Sequence, residues 1–159
     1  MTAISRDALE VEMRIAARPS TVFSLLDNAD GMAQWFGSNV ELDAKPGGAL
    51  RVDINGRDIA RGEIVEIVPL ERIVFTFGWE GEGHPVPPGA STVEITLAAD
   101  GDGTIVKLRH SGLTAEQAAS HKEGWDHYLP RLLERAEGRD PGKDPWADGP
   151  TSGEMERAQ

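Results

Sequence analysis

Hydrophobic and polar positions alternate, then cycle, then alternate again along this chain. Leu9, Val11, Met13 and Ile15 alternate with Glu10, Glu12 and Arg14, which predicts a strand with one wet face. Pro19 suits the first turn of a helix, where its missing N–H costs nothing, and Val22, Phe23, Leu25 and Leu26 give that helix its apolar stripe. Asp30 is the expected N-cap of a second short helix ending near Trp35. From Asn39 to Gly112 the pattern is mostly strand. Leu50, Val52 and Ile54 alternate and run into Asn55-Gly56, a pair that favours a type I′ turn and predicts a hairpin. The returning strand covers about Asp58 to Val68 and stops at Pro69. Arg72 to Trp79, rich in β-branched and aromatic residues, is the next. Gly81 to Gly89 reads as a Gly/Pro loop. Val93, Ile95 and Leu97 alternate, Asp100-Gly101-Asp102-Gly103 turns the chain, and Val106, Leu108 and His110 share one face of the last strand.

The period then becomes helical. Thr114 and Gln117 have capping-box spacing, and the helix they open runs to about Glu137, with Gly138 as its stop. Ala118, Trp125, Tyr128, Leu129, Leu132 and Leu133 form its apolar face. Pro130 predicts a kink rather than a break, because the stripe continues beyond it. Gly124 is expected to let this helix approach the sheet closely. From Arg139 onward Pro, Gly and Asp dominate, which predicts a disordered tail whose one aromatic, Trp146, is a candidate for docking on the body. The organisation expected is one α+β domain over residues 1–138 and a tail over 139–159.

Composition narrows the partners. A chain of 159 residues can bury roughly two-thirds of its unfolded surface, enough for a core and a cavity. The net charge of -11 argues against nucleic acid, which needs a basic footprint, and against an anionic membrane surface. The plainer meaning of the acidity is solubility. The absence of cysteine excludes disulfides, thiolate metal sites and cysteine nucleophiles, and fits a reducing cytosol. The N-terminal residues form no apolar signal core, and no stretch reaches about 18 apolar residues. A cytoplasmic protein is expected.

The chemistry is sparse. Asp100-x-Asp102-x-Thr104 resembles the start of a calcium loop, but Ile105 and Ser111 stand where that loop needs Gly and Glu, so a plain turn is expected. His121 and His127 do not share a helical face, no His-Glu-x-x-His spacing exists, and no metal or cofactor is expected. No nucleophile elbow, phosphate loop or dinucleotide fingerprint is present. His110 lies on the apolar face of its strand, and His121 lies one turn before Trp125 on the same helical face. Each is either a satisfied buried imidazole or a proton-transfer group beside a cavity. Arg61 and Glu63 share a strand face with Ile59, Val65 and Ile67, and sit either in the cavity or on a wet edge. Trp35, Phe36, Trp79 and Trp125 fall where elements close, and serve either as core or as the lining of an apolar site.

Taken in order, several short pieces resemble the activator-of-Hsp90-ATPase-homologue-1-like family of the START-like superfamily, also called SRPBCC or Bet v 1-like. They are Pro19-x-x-Val22-Phe23, Trp35-Phe36, Pro46-Gly47-Gly48, Gly62 with Glu66-Ile67-x-Pro69, Glu71 to Thr76, His110-Ser111-Gly112-Leu113, and Gly124-Trp125 with Leu129 and Leu132. The resemblance covers about residues 8 to 137 and rests on order and spacing together. It implies a helix-grip fold: a curved antiparallel sheet of about six to seven strands around a long C-terminal helix, with two short helices after the first strand. It makes Pro46-Gly47-Gly48 a hairpin turn and Gly62 a bend in the sheet. Carried over by position, it sets Trp35, Phe36, Trp79, His110, His121, Trp125 and Tyr128 at or near a cavity between sheet and helix.

Such a fold hosts many activities. The leading expectation is an apolar or aromatic small molecule held in that cavity, with His110 and Arg61 orienting its polar end. One alternative is a polyketide cyclase or dehydratase using His110 or His121. Another is a protein-interaction module. The family name points to co-chaperone work. With seven or eight residues before the first strand, that name is expected to act as a fold label. Neither nucleic acid nor membrane insertion is expected, and a homodimer is compatible with the pattern.

Overall fold

Alternation builds a single antiparallel sheet. In the computed structural model, which describes residues 2–4, 8–37, 39–81 and 84–147, it has eight strands. These are β1 (Thr2–Ile4), β2 (Ala8–Ile15), β3 (Asn39–Leu42), β4 (Ala49–Asp53), β5 (Ile59–Val68), β6 (Arg72–Trp79), β7 (Ser91–Asp100) and β8 (Gly103–Ser111). Their spatial order is β1-β2-β8-β7-β6-β5-β4-β3, so the chain meanders from β3 to β8 and β2 closes onto β8. The short β1 is the strand that alternation did not reveal. Helices α1 (Pro19–Phe23) and α2 (Ala29–Ala33) fill the β2–β3 connection, and α3 (Ala115–Ala136) follows β8. This is the helix-grip arrangement.

The alternating positions sort as expected. Leu9, Val11 and Ile15 of β2, Ile73, Phe75 and Phe77 of β6, Val93, Ile95 and Leu97 of β7, and Val106, Leu108 and His110 of β8 are buried. The same core takes in Trp125, Tyr128, Leu129 and Leu132 of α3. On the outer face Glu10 faces Arg109 and Glu12 faces Lys107, at 3.4 and 3.6 Å. Exposed pairs of this kind are worth about 0–1 kcal/mol each, so they favour the register more than the stability. The capping box forms: the Gln117 amide donates to Thr114 Oγ1 at 3.1 Å, and the Thr114 amide donates to Gln117 Oε1 at 3.0 Å. Pro130 lies inside α3 without ending it.

Several local expectations are corrected. The cap of α2 is Asn28, whose Oδ1 accepts from the Gly31 amide at 2.7 Å, and Asp30 instead adds its charge to the first turn. Asn55-Gly56 is not a type I′ turn, because only Gly56 takes a positive φ. Asn55 Oδ1 accepts from the Arg57 and Asp58 amides, and the Ile54 amide donates to the Asp58 carbonyl, which makes a wider loop. In β5 the pairing slips between Ile64 and Glu66, a bulge that turns Val65 outward. The tail expected from residue 139 runs back along α3 as far as a 3-10 turn at Pro145–Ala147. Residues 148–159 lie outside the described residues.

Two glycines exchange roles. A Cβ on Gly62 would stand 1.7 Å from the Thr76 carbonyl oxygen of β6, so this position tolerates no side chain. A Cβ on Gly124 would meet nothing within 4 Å, so Gly124 does not bring α3 close to the sheet; it faces open space. Gly62→Ala should therefore lower the unfolding free energy by about 1–3 kcal/mol through overpacking. Gly124→Ala should raise it by about 0.5–1 kcal/mol through helix propensity. Urea titration of both variants checks the pair, and equal effects would contradict it.

Candidate functional site

The inner face of β6 presents Phe75, Phe77 and Trp79 in alternation, and the site grows from Phe77. Its ring centroid lies 5.2 Å from His110 of β8, 6.0 Å from Trp125 and 6.2 Å from His121 of α3, and 5.5 Å from Trp79. Phe36, just after α2, adds contacts to Trp125 at 5.4 Å and Tyr128 at 5.0 Å, and Trp35 stacks on it at 5.1 Å. The Trp35 indole N–H donates to the Leu25 carbonyl at 2.7 Å and braces the α1–α2 connection. So Trp35, Phe36, Trp79, His110, His121, Trp125 and Tyr128 meet in one aromatic cluster. Arg61 does not join them. It points outward from β5 toward Glu80 at 3.3 Å, because Arg61, Glu63 and Val65 share the wet face while Ala60 and Ile64 are buried.

Sequence reasoning missed Phe77 and Ser91. Phe77 was legible as the residue alternating between Phe75 and Trp79. Ser91, the first residue of β7, carried no signal. Trp35, Phe36, His110, Trp125 and Tyr128 are each at most 4 % exposed. A void large enough for water would leave part of its lining accessible, so these rings pack on one another. Trp79, His84, His121 and Gly124 are half-buried at the cluster's margin.

The polar atoms inside the cluster form two short relays. Ser91 Oγ donates to the Phe77 carbonyl at 2.6 Å and lies 2.8 Å from His110 Nε2, so it accepts the proton on Nε2. His110 Nδ1 in turn accepts from the Trp125 indole N–H at 3.1 Å. His121 Nδ1 donates to the Gln117 carbonyl at 2.8 Å, and its Nε2 accepts from the Trp79 indole N–H at 3.0 Å. An indole nitrogen only donates, and a carbonyl only accepts. The network therefore assigns His110 as the Nε2–H tautomer and His121 as the Nδ1–H tautomer. Burial, and for His110 also the neighbouring His121, holds the first imidazole well below the ordinary histidine range. Burial likewise lowers His121, against the raising effect of its bond to Gln117.

This arrangement limits the chemistry. Ser91 and His110 have the spacing of a nucleophile and its base, but the base nitrogen already carries the proton. In a hydrolytic triad the third residue accepts from Nδ1–H; here Trp125 donates to Nδ1 instead. Among the described residues no group of three His, Asp or Glu side chains is placed to hold a metal ion, and no helix is long and apolar enough to cross a membrane.

Farther along the same face of α3, Tyr128 carries the cluster toward the C-terminal segment. Trp146 stacks on His127 with centroids 3.8 Å apart and 14° between planes, and meets the Tyr128 ring edge-on at 5.7 Å. His127 Nε2 pairs with Asp144 Oδ1 at 2.7 Å. Burial opposes the Asp144 charge, but the bonds from His127 and the Trp146 amide outweigh it and lower its pKa. Burial and the Asp144 carboxylate push the Tyr128 phenol well above its usual range, so it stays neutral.

Comparisons with known proteins agree with this architecture. The family model described as activator of Hsp90 ATPase homolog 1-like protein matches residues 16–137. The solution structure of an AHSA1-like protein from Rhizobium etli is 43 % identical over 92 % of each chain, with a TM-score of 0.66. DynU16, a protein in the dynemicin biosynthetic locus, is 25 % identical over 88 % of this chain and 51 % of its own, with a TM-score of 0.75. The Aha1 dimer from Colwellia psychrerythraea, 19 % identical over 85 % of this chain and 98 % of its own, shares the fold at a TM-score of 0.70. No curated protein matches the chain.

The histidine network makes stability depend on pH. Both folded-state pKa values lie below the unfolded value of about 6.5. The unfolded chain therefore binds more protons, and the contribution is complete above about pH 6.5 and is lost as pH falls toward the folded values. The urea midpoint should drop between pH 7.5 and 5.5. In His110→Phe with Trp125→Phe, which removes acceptor and donor together, that drop should shrink. An unchanged pH slope in the double variant would contradict the assignment.

Proposed function

The chain belongs to the activator of Hsp90 ATPase homologue 1-like family, and on that premise we propose that it binds an apolar or aromatic small molecule between the sheet and α3. The observation that carries this reading is the ring-lined margin of the cluster. Half-buried Trp79 stacks against His84 at 6.0 Å, donates through its indole to His121, and donates through its amide to the Val86 carbonyl at 2.8 Å. One helical turn from His121, Gly124 faces open space. A ligand entering there exchanges ring–ring contacts for ring–ligand contacts. The driving force is apolar burial, at about 25 cal/mol per Å².

Binding is favoured over proton transfer because both imidazoles are neutral and both nitrogens of each are engaged. A cyclase or dehydratase would need His110 or His121 to give up its indole donor first. A protein-interaction module is less favoured. Among the described residues the exposed large apolar side chains are Val65 and Leu70, short of the several hundred Å² that mark a docking patch. The place of DynU16 in a biosynthetic locus agrees with small-molecule work. A cytoplasmic setting and self-association, as in the Colwellia dimer, complete the proposed picture.

Titration with Nile red and pyrene tests the reading through tryptophan fluorescence. Quenching should saturate, and Trp79→Leu should weaken both ligands by roughly fivefold to tenfold, the worth of one aromatic contact. Quenching that stays linear, or persists unchanged in urea-unfolded protein, would overturn it.

A further inference from the structure

We propose that Tyr128 is the polar anchor of the ligand and that Trp146, at the end of the C-terminal strap over residues 139–147, sits in the ligand's place when the site is empty. This rests on the binding reading above and adds the ligand's chemistry: a neutral, flat aromatic molecule carrying a carbonyl oxygen.

Two buried donors point to that chemistry. Tyr128 is 4 % exposed, and among the described residues its hydroxyl has no hydrogen-bond partner. Buried tyrosine hydroxyls usually find one. Arg131 Nε, three residues on and on the same flank of α3, is also buried without a partner. Two unsatisfied donors on one helix flank call for an acceptor oxygen on the ligand. The charged neighbours of the hydroxyl are Asp144, Arg131 and Asp58. With two carboxylates against one guanidinium, an anionic ligand is disfavoured and a neutral carbonyl suits the place.

The seat above these donors is aromatic, and its present occupant comes from the C-terminal strap. Trp146 lies flat on His127 and edge-on to Tyr128, and Tyr128 continues edge-on to Phe36 inside the cluster. The strap leaves α3 at Gly138 and turns again at Gly142, both at positive φ, a conformation glycine adopts without strain. Its attachments include the Arg131 bond to the Gly142 carbonyl at 2.8 Å, the Arg139–Glu134 pair at 2.7 Å, the Arg135–Asp140 pair at 3.5 Å and the largely buried His127–Asp144 pair at 2.7 Å. The Arg135–Asp140 pair, open to solvent, contributes little. Gly124, one turn before Tyr128 on the same flank, leaves open space for the body of a larger ring system.

Paired probes test the proposal on the full chain: 9-fluorenone, and fluorene, which has the same rings without the carbonyl. In a ¹⁵N–¹H spectrum fluorenone should move the Trp146 indole resonance toward its solvent-exposed position and leave that of Trp35 in place. Trp146→Ala should bind fluorenone roughly fivefold more tightly, because the competing occupant is gone. Tyr128→Phe should bind it about tenfold more weakly, the worth of one net hydrogen bond, with fluorene unaffected. Fluorenone binding that leaves the Trp146 resonance unmoved, or that Tyr128→Phe does not weaken, would overturn the strap and anchor while leaving the binding reading intact. Failure of both probes to bind any variant would overturn both together.

Discussion

The hydrogen bond from the Trp125 indole to His110 Nδ1 joins the long helix to the sheet through the buried centre of the molecule. Neither partner tolerates the loss of the other. A buried imidazole acceptor without its donor keeps its desolvation cost, about 1–3 kcal/mol, and so does the indole. The bond therefore fixes the rotation and height of α3 on the sheet. With Trp125 placed, Phe77 and Phe36 have one arrangement around it, and Tyr128, one turn later, packs edge-on against Phe36. A parallel bond from Trp79 to His121 repeats the logic at the margin. Two indoles thus keep two imidazoles neutral and oriented, and the interior gains specific geometry where an all-apolar core would allow several packings.

Legibility in the sequence followed periodicity. The strands, the long helix and its capping box were readable because each repeats one physical rule over many residues. The aromatic cluster was readable because its members sit at element ends on apolar faces. What escaped were features decided by partners distant in the chain. Asp30 and Asn28 are both able caps, and backbone conformation selects Asn28. Arg61 had the right spacing for an inward face, and only the sheet's actual burial shows it outside. Gly124 has the composition of a close-approach glycine, but the space beside it is visible only in three dimensions. Ser91 gave no hint, since a serine at a strand start has many uses.

The fold alone leaves function open, and the site narrows it. Two imidazoles 5.0 Å apart would ordinarily invite an acid–base interpretation. Their hydrogen bonds reverse that impression, because each nitrogen is committed to a partner that permits one protonation state. Convergence of titratable groups is therefore weaker support for catalysis than their tautomers are. The same test applies to any START-like chain with histidines against tryptophans.

The strand order also shapes how this protein is made. β3 to β8 form a run of sequence neighbours, each able to pair with the strand just completed, whereas β2 pairs with β8 across almost the whole domain, with Leu9 opposite His110. On the ribosome β2 has only the short β1 to pair with until β8 has emerged. Local pairing is quick and long-range closure is slow, so the topology makes the joining of β2 to β8 a late step. Until it happens, the apolar edge of β2 stays available to other nascent chains.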